Sequence, residues 1–158
     1  MPAVEALLDR AFGADRHGRT AYLLRHGTTA IPGLCFVAER QGEVLGSLQC
    51  WPVEVRDDQG ASPLVLLGPV GVEPSHQGEG IGKALMRAAL DAADRIDAPP
   101  LLLIGDEPYY GRFGFHAAPT QGWDLPGPFE RHRLLVRMRA GDRLPRTGSV
   151  GPRQTATA

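Results

Sequence analysis

The sequence predicts a single α/β domain, and three observations carry that prediction. Two apolar-rich segments, 34–39 and 44–56, flank Gln41-Gly42 and read as a β-hairpin. The run 64–72 is apolar almost throughout, the pattern of a strand covered on both faces. A glycine-rich loop then opens into a long amphipathic segment that stops at Pro99-Pro100, and a short apolar strand follows at 100–104.

With 158 residues, 42% apolar and 22% charged, the chain has the size and composition of one globular domain. We set it at 1–141, with 142–158 as a polar tail or arm, because that stretch is small, polar and rich in Pro and Gly. A net charge of −1 gives no overall field for nucleic acid or an anionic membrane, so neither is an expected partner. No run reaches the ~20 apolar residues of a membrane span. Glu5, Asp9 and Arg10 interrupt the only N-terminal apolar stretch, so no signal peptide is expected. Cys35 and Cys50 lie in predicted strands and read as buried free thiols, with a disulfide left open; this fits a cytoplasmic location. Monomer and homodimer are both compatible with the sequence.

In chain order, 4–12 is a short helix with Val4, Leu7, Leu8 and Ala11 on one face, and 20–25 is a second. Pro52 inside 44–56 predicts a bulge or a break in pairing. Pro69, in Gly68-Pro69, donates no hydrogen bond, so the ladder of strand 64–72 is interrupted there. In the long helix, Ile81, Ala84, Leu85, Ala88, Ala89 and Ala92 share a face. Asp106 or Glu107 with Pro108 starts a short helix. The region 117–130 is too rich in Pro and Gly for regular structure, and Trp123 and Phe129 there either wall a pocket or close the core. A final strand, 134–139, shows Leu134, Val136 and Met138 on one face.

The chemistry concentrates in Glu73-Pro74-Ser75-His76-Gln77-Gly78-Glu79-Gly80-Ile81-Gly82. Glycines there let the backbone curl and approach a ligand closely. The free N–H groups and positive dipole end of the helix that follows suit a phosphate or pyrophosphate. A Walker loop fails, because Gln77 stands at its first glycine and Ala84 at its hydroxyl position. A dinucleotide fingerprint fails as well, ending on Lys83 or Leu85 instead of Gly. Gln-x-x-Gly-x-Gly does fit, on Gln77, Gly80 and Gly82, behind Val70-Gly71-Val72-Glu73-Pro74.

That segment resembles the acetyl-CoA motif of the GNAT N-acetyltransferases. Tyr109-Tyr110-Gly111-Arg112-Phe113-Gly114-Phe115, preceded by Gly105-Asp106, is similar to the family's second signature and looks most like its bacterial YhbS-type branch. The resemblance implies the GNAT acyl-CoA N-acyltransferase fold, a central mixed, splayed β-sheet flanked by helices. It implies that acetyl-CoA is the co-substrate and that a primary amine, on a small molecule or a peptide, attacks it directly in a ternary complex. Val70, Gly71 and Val72 would pair with pantetheine; Gln77, Gly78, Glu79, Gly80, Ile81, Gly82 and Lys83 would hold the pyrophosphate; Asp106, Tyr109 and Phe113 would complete the cofactor site. Backbone amides near Gly71 and Val72 are candidates to polarise the thioester carbonyl.

Tyr110 would protonate the departing thiolate; a phenol with an ordinary pKa of about 10 carries its proton at neutral pH. Glu73 ranks first as general base, ahead of Glu54 and Asp106, and water alone is the alternative. His76 reads as exposed. Lys83, Arg87 and Arg112 either reach the 3′-phosphate or make ordinary salt contacts. There is no Gly-x-Ser-x-Gly, no His-Glu-x-x-His and no Cys-x-x-Cys, so no metal site is expected. The reading that competes with catalysis is a CoA-binding sensor or interaction module without turnover.

Overall fold

The computed structural model describes residues 2–13 and 19–154. Its mixed sheet has eight strands: β1 (Phe36–Arg40), β2 (Glu43–Asp57), β3 (Gly60–Val72), β4 (Leu101–Ile104), β5 (Phe115–His116), β6 (Gly122–Asp124), β7 (Leu134–Arg137) and β8 (Thr147–Pro152). They are ordered β5-β7-β4-β3-β2-β8-β6, and β1 also pairs with β2. The β3/β4 and β6/β8 pairs are parallel and the others antiparallel. Helices α1 (Pro2–Phe12), α2 (Thr20–Leu23), α3 (Ile81–Arg95) and α4 (Glu107–Tyr110) flank it.

The β1–β2 hairpin turns at Gln41 and Gly42, whose φ angles of 53° and 78° match the twist of the flanking strands. Strand β3 is covered on both faces, as its apolar run predicts. Val65 and Leu67 join the cluster beneath α3, while Leu64 and Leu66 join one built with Trp123, Leu134 and Val136.

The bulge lies elsewhere than Pro52. Pro52 stays in register with Val65, and its carbonyl accepts from the Arg153 amide, so its missing N–H faces the β8 side of β2 and spares the β3 ladder. The register shifts instead where Leu48 pairs with Val70 and Cys50 with Leu67. There one residue of β2, Gln49, opposes two of β3, Gly68 and Pro69. Gly68 has φ +143°, open to glycine alone among ordinary residues.

Helix α3 begins and ends as its pattern indicates, but its buried face is rotated. Leu85, Met86, Ala89, Ala92 and Ala93 are buried, whereas Ala84 is exposed. Small alanines on both sides left the stripe loosely defined, and the large Met86 settled it. Burying a side chain of that size contributes about 1.5–3 kcal/mol. A β-carbon on Gly46 would lie 2.6 Å from Ile81 Cγ2, so glycine there lets α3 lie close on β2.

Three further expectations change. The strand at 134–139 ends at Arg137 and is not the last, because Thr147–Pro152, within the segment read as a tail or arm, pairs with both β2 and β6. Residues 155–158 of that segment lie outside the described residues. Region 117–130 contains β6, and its Trp123 closes the core, fully buried with Nε1 donating to the Pro145 carbonyl at 2.8 Å. Cys35 and Cys50 are both free thiols, but Cys35 is exposed, just before β1. Among the described residues, no helix is long and apolar enough to cross a membrane.

Candidate active site

The site follows from where β3 and β4 part. They pair only at Val65–Leu101 and Leu66–Leu102, and beyond the bulge the β4 side of β3 has no partner strand among the described residues. The Glu73 amide donates to the Leu45 carbonyl of β2 at 2.7 Å. Along a strand, main-chain groups alternate between edges, so Glu73 and Gly71 face β2 while Val70 and Val72 turn theirs to the open edge.

Two cavities meet at this opening, with Phe12 and Val70 lining both. The first, about 530 Å³, enters the gap between β3 and β4 and includes Tyr110, Asp106, Arg133 and Phe129 in its walls. The second, about 620 Å³, lies over the α3 N-terminus and takes in Val70, Val72, Tyr109 and every residue from Gln77 to Lys83. Gly78 and Gly80 have φ of +87° and +83°, so the loop needs glycine at both. The first α3 hydrogen bond runs from the Ala84 amide to the Gly80 carbonyl, 3.0 Å, which leaves the amides of Ile81, Gly82 and Lys83 ahead of the ladder. Glu79, an acid in an anion-binding loop, is drawn aside by His76 Nδ1 at 2.9 Å and Arg40 at 3.4 Å. His76 is thus half-buried against Glu79.

Neighbouring tyrosines divide between the cavities, Tyr109 facing the second and Tyr110 the first. Their rings meet edge-on at 4.8 Å, and Tyr110 also meets Phe115 at 6.3 Å. Burial pushes the Tyr110 phenol above its ordinary pKa; Tyr109 and Asp106 act the same way, and Arg133 opposes them.

Of the two residues expected at the reacting centre, only Tyr110 lines a cavity. Glu73 lies in the wall of neither, and its Oε2 accepts from Arg10 Nε at 2.8 Å, tying β3 to α1. Glu54 pairs with Arg56 on its own strand and is also outside. Gly71 serves α1, since a β-carbon there would come within 2.9 Å of Leu8 Cδ2. Phe113 packs on Tyr109 at 5.9 Å and lines neither cavity, and Asp106 belongs to the first cavity and not the second. Arg112 stacks on the Tyr109 ring at 4.8 Å.

A model of the acetyltransferase (GNAT) family matches residues 1–115. The chain belongs to that family. It is 28% identical over 138 residues to the uncharacterised N-acetyltransferase YhbS of Escherichia coli K12, an alignment spanning 84% of this chain and 81% of that one. The crystal structure of E. coli YhbS in complex with CoA superposes with a TM-score of 0.73 at 26% identity, covering 96% of this chain and 83% of that one. A GNAT acetyltransferase from Brucella melitensis in complex with acetyl-CoA gives 0.64 at 29% identity, over 96% and 86%.

Several residues of this GNAT site carry no sequence signal. Phe12 comes from α1, Arg19, Tyr22 and Arg25 from in and around α2, and Glu130 and Arg133 from the segment before β7. Arg25 is stacked between the Tyr22 ring at 3.9 Å and the Trp51 ring at 4.2 Å, and donates to Gln49. Arg133 Nε is buried with no hydrogen-bond partner among the described residues; Asp106 Oδ1 lies 3.4 Å away, an ion pair without hydrogen-bond geometry between side chains that are otherwise part-exposed.

Tyr110 is held by a close approach that can be tested. A β-carbon on Gly105 would fall 2.5 Å from Tyr110 Cε2, whereas one on Gly111 meets nothing nearer than 4.0 Å. Gly105→Ala is therefore expected to cost about 1–3 kcal/mol in urea unfolding, and Gly111→Ala far less. Equal midpoints for the two variants would show that the ring is not confined.

Proposed function

We propose that this GNAT protein is an acetyl-CoA-dependent N-acetyltransferase that moves the acetyl group to a primary amine by direct attack. One observation carries the reading: a glycine-lined helix N-terminus and an open strand edge form one cavity, which joins at Val70 a second that has Tyr110 in its wall. The fit to the cofactor is supported by Gly82. It sits in the first turn of α3, where glycine weakens a helix, yet a β-carbon would find only Val72 Cγ2, at 3.8 Å. The protein's own packing leaves room for a side chain there; a diphosphate against the amides would not.

In this reading the loop amides from Gly78 to Lys83 hold the diphosphate, and the main chain of Val70 and Val72 pairs with the pantetheine arm as an added strand. An amide of that edge polarises the acetyl carbonyl. The amine, having lost one proton, attacks that carbon. A C–N bond forms, the C–S bond breaks, and the thiolate takes the phenolic proton of Tyr110. The nitrogen gives up its second proton, which restores the phenol. Asp106, in the cavity wall, or water receives the first proton, the one the ammonium group loses before attack. Glu73 stays paired with Arg10 and fixes the end of β3.

Calorimetry with acetyl-CoA and thiol release with primary amines test this together. Saturable binding with amine-dependent release is expected. Binding with no release from any amine would leave a CoA-binding module, and no binding at all would remove the reading.

A further inference from the structure

The acceptor cavity has a chemical polarity of its own. Its walls carry three guanidinium groups, Arg19, Arg25 and Arg133, against two carboxylates, Asp106 and Glu130. Such a balance repels an acceptor that is itself a polycation. The guanidiniums differ in commitment. Arg19 donates to the Phe12 carbonyl at 2.6 Å, and Arg25 is clamped between two rings. Arg133 makes no hydrogen bond through its side chain among the described residues, and its partner Asp106 stands off at 3.4 Å.

This loose pair stands where an acceptor must arrive. The Gly105 amide donates to the Arg133 carbonyl at 2.9 Å, and Gly105 in turn abuts the Tyr110 ring. Arg133, Asp106 and Tyr110 thus share one corner of the cavity, whose wall also includes the apolar Leu103, Ile104 and Phe129. A guanidinium fork matches a carboxylate in shape and charge, and a carboxylate beside it matches an ammonium group.

Resting on the acetyl-transfer reading above, we propose that the acceptor is an apolar amino-acid-like zwitterion, its carboxylate taken by Arg133 and its ammonium group by Asp106. Inserting such a molecule exchanges one poorly made ion pair for two well-made ones, and its side chain covers the apolar wall. A plain amine would meet Asp106 alone and gain nothing from Arg133, whose part-exposed guanidinium stays hydrated.

The test compares phenylalanine, phenylalaninamide and phenethylamine as acceptors for thiol release from acetyl-CoA. Phenylalanine is expected to show kcat/KM at least tenfold above the other two. Arg133→Gln should bring that ratio close to one by lowering the phenylalanine value most, with acetyl-CoA affinity retained, and Arg133→Lys should keep part of the preference. Acetyl-CoA calorimetry and thermal melting of each variant identify any that fail to fold. Equal or better use of the amide or the decarboxylated amine overturns the inference, as does a preference that survives Arg133→Gln, or no release from any of the three. Failure of the wild-type protein to bind acetyl-CoA is a separate result, and it removes the acetyl-transfer reading itself.

Discussion

Replacing Gly82 with alanine is expected to weaken acetyl-CoA binding at least tenfold, about 1.4 kcal/mol, while leaving the fold as stable as before or slightly more so. The two effects separate because Gly82 is constrained by neither backbone nor neighbours. It lies inside α3, outside the left-handed region, and the nearest atom to an added β-carbon is Val72 Cγ2 at 3.8 Å, an ordinary contact. Alanine in place of glycine in a helix returns up to about 1 kcal/mol. The same methyl group stands among the amides that line the second cavity, where a diphosphate would approach closely. Gly80 makes the contrast. At φ +83° any β-carbon is strained by about 1–2 kcal/mol, so Gly80→Ala mixes a folding loss with a binding loss. Calorimetry and thermal melting of both variants, run side by side, check this. Unchanged affinity in Gly82→Ala would mean that the diphosphate does not lie against the α3 N-terminus.

The parts of this site that were legible in the sequence are the parts written locally. The run 64–72, the glycine loop and the start of α3 are adjacent in the chain, and their periodicity and turn chemistry specify strand, loop and helix without outside help. Gly68-Pro69 disclosed a broken ladder because proline lacks a donor wherever it sits. Pro52 misled for the same reason: the missing donor matters only on an edge that needs it, and its edge was set by the distant β8. That strand was hidden because Thr147–Pro152 has one large apolar residue, Val150, and is a strand only by virtue of its neighbours. Its glycines looked like breakers. In the fold Gly148 marks a close approach, since a β-carbon there would lie 2.6 Å from the Arg56 carbonyl, and so does Gly122 of the neighbouring β6, 2.2 Å from that of Arg146. Glu130 ended the stretch that reads as loop and Arg133 fell between it and the final strand, and their meeting with α2 across the cavity depends on tertiary packing alone. Glu73 is the opposite case, a carboxylate close along the chain to the glycine loop whose side chain turns to Arg10 and lies in the wall of neither cavity.

Tyr110→Phe is expected to lower kcat about a hundredfold, the usual range for loss of a general acid, with little change in KM for acetyl-CoA. The ring stays, and with it the contacts to Tyr109 and Phe115; only the proton donor goes. A loss confined to kcat marks an interaction made in the transition state, whereas a rise in KM alone would recast Tyr110 as a binding residue. The pH profile sharpens the distinction. Burial is the largest influence on the phenol and raises its pKa above the ordinary 10 or so. The acid therefore keeps its proton through neutral and mildly alkaline pH, and the falling limb it causes in kcat lies above pH 10 or so. Stability has the same sign. Between the unfolded and folded pKa values the native state holds a proton that the unfolded chain has released, so this group's contribution is complete below about pH 10 and is lost as pH rises through the higher, folded value. Tyr110→Phe removes both effects together: the alkaline limb in kcat, and that part of the alkaline loss in melting temperature. A variant that loses the stability component but keeps full kcat and the limb would place the acid elsewhere, and would leave Tyr110 as packing between the two cavities.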